Sequence, residues 1–330
     1  MNNIQYDIII PTRPNMDNIH RLLTSINNQP HKPRNIYILI DKIIDKDIYK
    51  YYMDSLTSRS PSVSLITNTN TSFEPWKWVS YVRNFGINTA KSEYILLLDD
   101  DTQLPVNFID QLTDKYIYIQ NQTEKDFVLF PNINYHDTNR IQTQWYSMMH
   151  YWMMRPEPAY SSNDFKTKIR KFLFWRIDKL YNPLYNHVTI KQCNHTYMCP
   201  SICLFGKSEI FKNNLYDERM TFVYEDLDMT ARLSNKWISI YNLTDIYIKH
   251  FESARNKLQS SFLTPELAYN KSKNRIIFVQ NNATLPEKLL FYTIWLPWQT
   301  LRFIIFISIF GKNKIYTITQ IIKWIKDWLS

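Results

Sequence analysis

The sequence predicts an α/β fold in which a mostly parallel central sheet is covered by helices on both faces. In the first third of the chain, short continuous apolar runs alternate with segments of helical periodicity. Acidic residues directly follow two of these runs. Ligands bind such sheets beyond the carboxyl ends of the strands, so the acidic positions also indicate where a site is expected.

The apolar runs predict the first strands, and the segments between them predict the first helices. Strands are expected at 7–11, 35–41, 63–67 and 94–98, each a short apolar run bounded by polar residues or proline. Helices are expected over 15–28 and 76–90, and across the polar segment around 45–58. The 330 residues can form one large domain or two smaller ones.

Three consecutive aspartates, Asp99, Asp100 and Asp101, follow the strand expected at 94–98. Adjacent carboxylates at a strand end are unfavourable unless a cation offsets their repulsion. A divalent ion accepts oxygen ligands and completes its shell with substrate phosphates and water. The triplet therefore indicates a metal and diphosphate site, although acidic triplets also occur on solvated loops. Asp41 follows the second strand, where a turn or helix-capping role is the simpler interpretation.

A second acidic cluster lies in the segment FVYEDLDMTARL, residues 222–233. Glu225 and Asp226 are expected to open a helix, because acidic side chains suit the positive end of the helix dipole. Arg232 is spaced to pair with Asp228 one turn away. The functional alternative is a general base, a carboxylate that removes a proton from an attacking hydroxyl.

Histidine and cysteine positions are compatible with structural and with metal-binding roles. His250 ends a strand-like run, where an imidazole can complete a metal shell. Cys193, His195, Cys199 and Cys203 form a local group. Their spacing fits no standard zinc pattern, so buried thiols are expected.

The C-terminal segment combines positive charge with the most hydrophobic stretch of the chain. From Pro286 to the end there are six Lys or Arg and two acidic residues, a net charge of +4 within the +9 of the whole chain. This pairing favours an anionic membrane surface over nucleic acid. Pro297 and Arg302 interrupt the apolar run 289–310, and 315–329 is amphipathic. Interfacial helices and peripheral attachment are therefore expected, in preference to a spanning helix or ordinary packing.

The N-terminus lacks a basic, apolar leader, and the odd number of cysteines, three, gives no disulfide framework. We therefore expect a cytoplasmic protein attached to the inner face of the membrane. The aromatic-rich region 136–198 is interpreted as core packing, or as a cover over an acceptor site or a membrane-facing surface.

Five segments, in this order and spacing, resemble the family 2 glycosyltransferases of GT-A fold, a Rossmann-like α/β arrangement. They are DIIIPTRP, the strand that ends in Asp41, VRNFGINTAKSEYILLLDDDTQLP, SICLFGKSEIF and FVYEDLDMTARL. The resemblance covers most of residues 4–255. It implies a GT-A catalytic domain over 1–285, divided into a nucleotide-sugar-binding half (1–135) and an acceptor and catalytic-base half (136–285), before a membrane-associating helical segment at 286–330.

The resemblance also implies roles for individual residues. The nucleotide-sugar contacts would be Pro11, Thr12, Asp41, Arg83, Asp99 and Asp100. Metal ligands for Mn²⁺ or Mg²⁺ would be Asp99, Asp101 and His250. Asp226 would be the catalytic base, and Glu225 and Asp228 would lie on the acceptor side.

The implied reaction is an inverting transfer of a sugar from a nucleotide-diphosphate sugar to a hydroxyl of a glycan or lipid-linked acceptor, in cell-envelope polysaccharide synthesis. Two alternatives remain open at this point. One is a nucleotidyltransferase, which shares a nucleotide-binding scaffold and acidic metal ligands. The other is a membrane-binding protein with an inactive transferase-like domain.

The chain has only three glycines, so we expect a structural reason for glycine at each position. Gly86 lies within a predicted helix, where glycine costs about 1 kcal/mol relative to alanine. In the family that the segments resemble, Gly86 occupies the glycine of RNxG and Gly206 a small-residue position after a strand, which implies close backbone approach at both. The family often has glycine-rich sequence before its Glu-Asp motif. Here Asn213 or Asn214 is expected to supply the left-handed turn.

Overall fold

The structure is a computed structural model. It describes residues 4–12, 15–40, 63–67, 78–135, 140–141, 189–190, 193–196, 199–220, 224–251, 265–295, 297, 319 and 322. Asp41, the helix expected around 45–58, most of 136–198 and most of the segment after 295 lie outside these residues.

The described elements follow the predicted alternation of strands and helices. The strands are β1 (Tyr6–Thr12), β2 (Asn35–Ile40), β3 (Val63–Thr67), β4 (Tyr94–Leu98), β5 (Thr102–Gln103), β6 (Phe127–Tyr135), β7 (Arg140–Ile141), β8 (Thr189–Ile190), β9 (Cys193–Thr196), β10 (Cys203–Lys207) and β11 (Ser239–His250). The helices are α1 (Met16–Asn27), α2 (Trp78–Thr89), α3 (Phe108–Gln120), α4 (Ser208–Lys212), α5 (Glu225–Asn235), α6 (Pro265–Asn282) and α7 (Leu285–Leu290), with a π-helical turn at Phe291–Trp295.

A single sheet connects these strands in the order β3-β2-β1-β4-β10-β6-β11-β9-β8, with β5 beside β11 and β7 beside β6. β1 pairs in parallel with β2 and β4, β2 with β3, and β6 with β11. β10 runs antiparallel between β4 and β6. The carboxyl ends of β1, β4, β6 and β11 therefore lie on the same edge of the sheet, which confirms the mostly parallel sheet.

Helices cover both faces of the sheet, as predicted. Ile8 and Ile10 of β1 belong to one buried cluster, which includes residues of α1 and α3. Ile9, whose side chain alternates to the other face, belongs to a second cluster with residues of α2, α4 and α5. The wholly buried strand reads as a continuous apolar run because both of its faces are covered.

Gly86 allows α2 to lie directly on the sheet. A Cβ atom at this position would be 2.5 Å from Ile9 Cγ2 and 2.6 Å from Leu39 Cδ1, too close for any residue larger than glycine without displacement. At Gly206 the nearest atom to a Cβ would be Val128 Cγ1 at 3.0 Å. The predicted close approach is thus severe at Gly86 and milder at Gly206.

In the part of the chain that the structure describes, no helix is long and apolar enough to cross a membrane. Of the expected membrane-associating segment, that part includes residues 286–295 and the single positions 297, 319 and 322.

Candidate active site

The aspartate triplet lies where β1 and β4 end side by side. Asp99 directly follows β4, whose parallel partner β1 ends at Thr12. The Thr12 hydroxyl donates to Asp100 Oδ2 at 2.5 Å. Pro11 and Thr12, the last two residues of β1, are both buried, so a packed strand end lies beside the triplet. Asp41, which is expected at the same edge of the sheet after β2, lies outside the described residues.

The short strand β5 brings Asp101 to His250. β5 follows the triplet and pairs with the last residues of β11, with Thr102 opposite His250. The Phe251 N–H donates to the Asp101 carbonyl at 2.8 Å. His250 Nε2 consequently lies 3.1 Å from Asp101 Oδ1. Two predicted metal ligands that are far apart in the sequence are therefore neighbours.

Arg83 of α2 connects the triplet to the second acidic cluster. Its Nη2 donates to Asp99 Oδ1 at 2.9 Å, and its Nη1 donates to Glu225 Oε1 at 3.3 Å. Its guanidinium carbon also lies 5.3 Å from the centre of the Tyr216 ring. Arg83 therefore acts as a buried bridge from the end of β4 to the start of α5, a contact that sequence reasoning did not identify.

The site carries more negative charge than its neighbours neutralise. Burial, and then the charge of Asp101, raise the pKa of Asp100 to about 7. Burial also raises the pKa of Asp99 and of Asp226, although Arg83 lowers both. The pKa of Glu225 is raised by burial and by the neighbouring Asp226. All four shifts have the same sign because ionised carboxylates are poorly solvated here.

Asp226 lies in the first turn of α5. The helix begins at Glu225, so the predicted acidic helix start is confirmed. One carboxylate oxygen, Asp226 Oδ1, accepts from the backbone N–H of Leu227 at 2.7 Å. This bond holds the side chain at the helix start, close enough to Arg83 for the guanidinium to stabilise its ionised form.

The left-handed residue before α5 is not the one predicted. Asn213 has φ −81, and Asn214 is not among the residues with positive φ, so neither supplies the turn. Tyr224, immediately before Glu225, has φ 75 and takes the left-handed conformation. Side-chain polarity suggested the asparagines, whereas the chain path into α5 imposes the turn on a tyrosine.

Asp228 is fully buried and connects α5 to α6. It accepts from Arg232 Nε at 2.8 Å, which confirms the predicted pair one turn apart. It also accepts from the side-chain amides of Asn281 at 3.0 Å and Asn282 at 2.8 Å. These contacts give Asp228 a structural role. The acceptor-side role that the resemblance implies for it stays a prediction. Glu225 is also buried, facing Arg83.

The thiols of Cys199 and Cys203 are buried, as predicted, and burial raises the pKa of both well above the usual range. The Cys193 and His195 side chains lie outside the described part of the structure.

The donor groups around Asp101 suit a divalent ion that is only partly coordinated by protein. Asp101 Oδ1 is buried, and the His250 Nε2 atom lies 3.1 Å from it. Carboxylate oxygen and imidazole nitrogen are ligands that Mn²⁺ accepts. Among the described residues, no three His, Cys, Asp or Glu side chains are grouped to hold an ion. An ion here would therefore need further oxygen ligands, which a diphosphate can supply.

Comparison with known proteins agrees with this geometry. The profile of the family described as Glycosyl transferase family 2 matches residues 7–180. No curated protein matches the chain significantly. Staphylococcus aureus TarS 1-349 in complex with UDP-GlcNAc is 14% identical, with a TM-score of 0.55, and the match covers 98% of this chain and 81% of the TarS 1-349 chain.

Mannosyltransferase PcManGT from Pyrobaculum calidifontis, in complex with GDP-Man and Mn²⁺, is 10% identical. Its TM-score is 0.53, and the match covers 98% of this chain and 87% of PcManGT. Both structures share the mixed α/β arrangement with the sheet described above. Since the family profile extends over more than half of the 330 residues, the chain belongs to glycosyl transferase family 2 and has the GT-A fold.

Proposed function

We propose that the protein transfers a sugar, with inversion, from a nucleotide-diphosphate sugar to a hydroxyl of a glycan or lipid-linked acceptor. The observation that carries this proposal is the Arg83 bridge between Asp99 and Glu225. It joins the acidic strand end, suited to a metal and diphosphate, to the helix start that holds Asp226. Donor site and base then belong to one site, which an inverting displacement requires.

The nucleotide sugar would bind along the carboxyl edge of β1, β2 and β4. The proposed contacts are Pro11, Thr12, Asp41, Arg83, Asp99 and Asp100. The two similar structures are complexes with UDP-GlcNAc and GDP-Man, which supports a nucleotide-sugar donor without selecting the sugar. Because Arg83 is already paired with two carboxylates, we expect it to act on the donor mainly through Asp99.

Asp99, Asp101 and His250 would hold a Mn²⁺ or Mg²⁺ ion together with the donor diphosphate, because among the described residues these side chains are not grouped closely enough to hold it alone. When bound, such an ion neutralises the charge that develops on the departing diphosphate. The closeness of the buried Asp101 Oδ1 to the His250 Nε2 atom supports this assignment. The PcManGT structure is a complex with Mn²⁺, which supports the assignment by analogy.

Asp226 would remove the proton from the acceptor hydroxyl. The hydroxyl oxygen then forms a bond to the anomeric carbon as the bond from that carbon to the diphosphate oxygen breaks on the opposite face. Such an in-line displacement inverts the anomeric configuration. Burial raises the pKa of Asp226 towards the working pH, which favours proton transfer in the transition state.

An anionic membrane surface at the cytoplasmic face is the proposed location of the acceptor. Leu285 and Leu289, one turn apart on α7, have exposed fractions of 80% and 65%. Lys288 lies on the same short helix. Together with the net charge of +4 after residue 285, this apolar pair suits the interface of an acidic bilayer.

The test uses the purified chain with a panel of nucleotide sugars and Mn²⁺ or Mg²⁺, measuring donor binding and the release of nucleoside diphosphate. We expect Asp101→Ala to lose metal-dependent donor binding. Asp226→Asn should keep donor binding and lose turnover, because an amide cannot accept the proton. Strong binding of nucleoside triphosphates with no nucleotide sugar bound would reject this function in favour of nucleotidyl transfer.

A further inference from the structure

Tyr224 occupies an unusual backbone conformation next to the proposed base. Its φ is 75 and its ψ is −12, in the left-handed region. This conformation is unfavourable for a bulky residue and natural for glycine. The neighbouring structure must therefore hold Tyr224 in place, and strained residues of this kind concentrate at functional sites.

Helix α6 supplies that support. Arg275 Nη2 and Nε donate to the Tyr224 hydroxyl at 2.9 and 3.3 Å. The centre of the Phe278 ring lies 6.2 Å from the centre of the Tyr224 ring. Tyr224 is 8% exposed and Phe278 is fully buried. The tyrosine ring is therefore enclosed by α6, with its hydroxyl bonded to a charged donor.

A second contact joins α6 to the turn that carries the proposed base. Asn281 and Asn282 donate to Asp228, and the Asp228 N–H donates to the Tyr224 carbonyl at 2.8 Å. Helix α6 thus contacts Tyr224, two residues before Asp226, and Asp228, two residues after it. The direction of the Asp226 carboxylate depends on this first turn of α5, because that turn carries the side chain.

We propose that Tyr224 is a positioning residue for Asp226, fixed by Arg275 and Phe278 of α6. The inference rests on the proposed role of Asp226 as the base. A glycine would adopt the same φ without strain, so the contribution of a tyrosine here is its contact with α6. Helix α6 thereby becomes part of the catalytic apparatus although it contributes no group to the reaction.

The experiment compares Tyr224→Phe, Tyr224→Gly and Arg275→Met in the full chain. Each is measured for kcat and donor KM, by release of nucleoside diphosphate from the best nucleotide sugar of the donor panel. Small displacements of a reacting group lower rates steeply, so we expect kcat to fall by about 10-fold to 100-fold while donor KM stays within about twofold. Arg275→Lys, which keeps a charged donor, should recover part of the loss.

Tyr118→Phe is the matched control, because it removes a hydroxyl from a tyrosine on α3 that is 46% exposed. We expect its kcat to be unchanged. The thermal unfolding midpoint of every variant shows whether the assayed protein is folded. A Tyr224→Gly variant that is folded but slow would support positioning, since glycine relieves the strain and loses only the α6 contact.

Two outcomes would overturn the proposal, and they differ from each other. If Asp226→Asn loses turnover while the three α6-contact variants keep kcat within twofold, the positioning role alone is wrong. If Asp226→Asn keeps turnover, the base assignment fails and the positioning role fails with it.

Discussion

Replacement of Arg83 by methionine tests how far the acidic site depends on its buried cation. The Arg83 side chain is 7% exposed and bonds to Asp99 at 2.9 Å and to Glu225 at 3.3 Å. Removing one partner of a buried ion pair costs about 3 to 5 kcal/mol, because the remaining charge is left uncompensated. Methionine retains most of the apolar packing of the arginine stem, so the loss reflects the missing charge. We therefore expect Arg83→Met to lower the free energy of unfolding by about 3 to 5 kcal/mol at pH 8.

The loss should depend on pH in a definite direction. Arg83 lowers the pKa of Asp99 and of Glu225, so its removal raises both further. When the pKa of a carboxyl is higher in the folded than in the unfolded protein, the free energy of unfolding falls as pH rises between the two pKa values. The destabilisation by Arg83→Met should therefore be smaller at pH 5.5 than at pH 8.

Urea unfolding, followed by tryptophan fluorescence without added metal, measures both quantities. Arg219→Met is the matched control, because Arg219 also pairs with an aspartate, Asp217, but is 58% exposed. An exposed pair contributes about 0 to 1 kcal/mol, so the control should lose no more than that. Two results would refute the idea that the buried carboxylates depend on the Arg83 charge. One is a loss in the free energy of unfolding below about 1 kcal/mol for Arg83→Met at pH 8, and the other is an equal loss at both pH values.

Three further predictions follow from the same contacts. Gly86→Ala should lower the free energy of unfolding by about 1 to 2 kcal/mol, because the new Cβ would clash with the side chains of Ile9 and Leu39. This loss is expected although alanine has the better helix propensity, and a stabilised variant in urea unfolding would contradict the close approach. Mn²⁺ with UDP should raise the unfolding temperature more at pH 8 than at pH 6, because the pKa of Asp100, about 7, leaves its carboxyl mostly protonated at pH 6. Equal shifts at the two pH values would contradict this. The rate of sugar transfer should decline on the acid side with an apparent pKa above the ordinary value of about 4, because burial raises the pKa of Asp226; a limb at or below 4 would contradict its burial in the active enzyme.

The fold was largely predictable because its central strands are buried on both faces. Strands β3 and β4 begin and end at the predicted residues, 63–67 and 94–98. A continuous apolar run of this length has few other stable environments. The position of Asp99 at a strand end, and of Glu225 at a helix start, followed from the same local patterns.

The contacts between side chains within the site were not predictable, because they join residues that are distant in the sequence. Arg83 and Glu225 are 142 positions apart, and no local pattern indicates that they pair. The approach of Asp101 to His250 depends on β5, a strand of two residues. The turn at Tyr224 is set by the chain path and by α6, so composition pointed to the wrong residues.

The charge distribution explains why the proposed ion and donor should bind together. One guanidinium, Arg83, is shared between Asp99 and Glu225, whereas Asp101 faces an imidazole and Asp100 a hydroxyl. The proposed ion would supply the positive charge that these two carboxylates lack. A donor diphosphate alone would add negative charge to a site where burial already raises the pKa of its carboxyls. An ion alone would find too few protein ligands among the described residues. Each therefore improves the site for the other, and by linkage the two affinities must rise by the same factor.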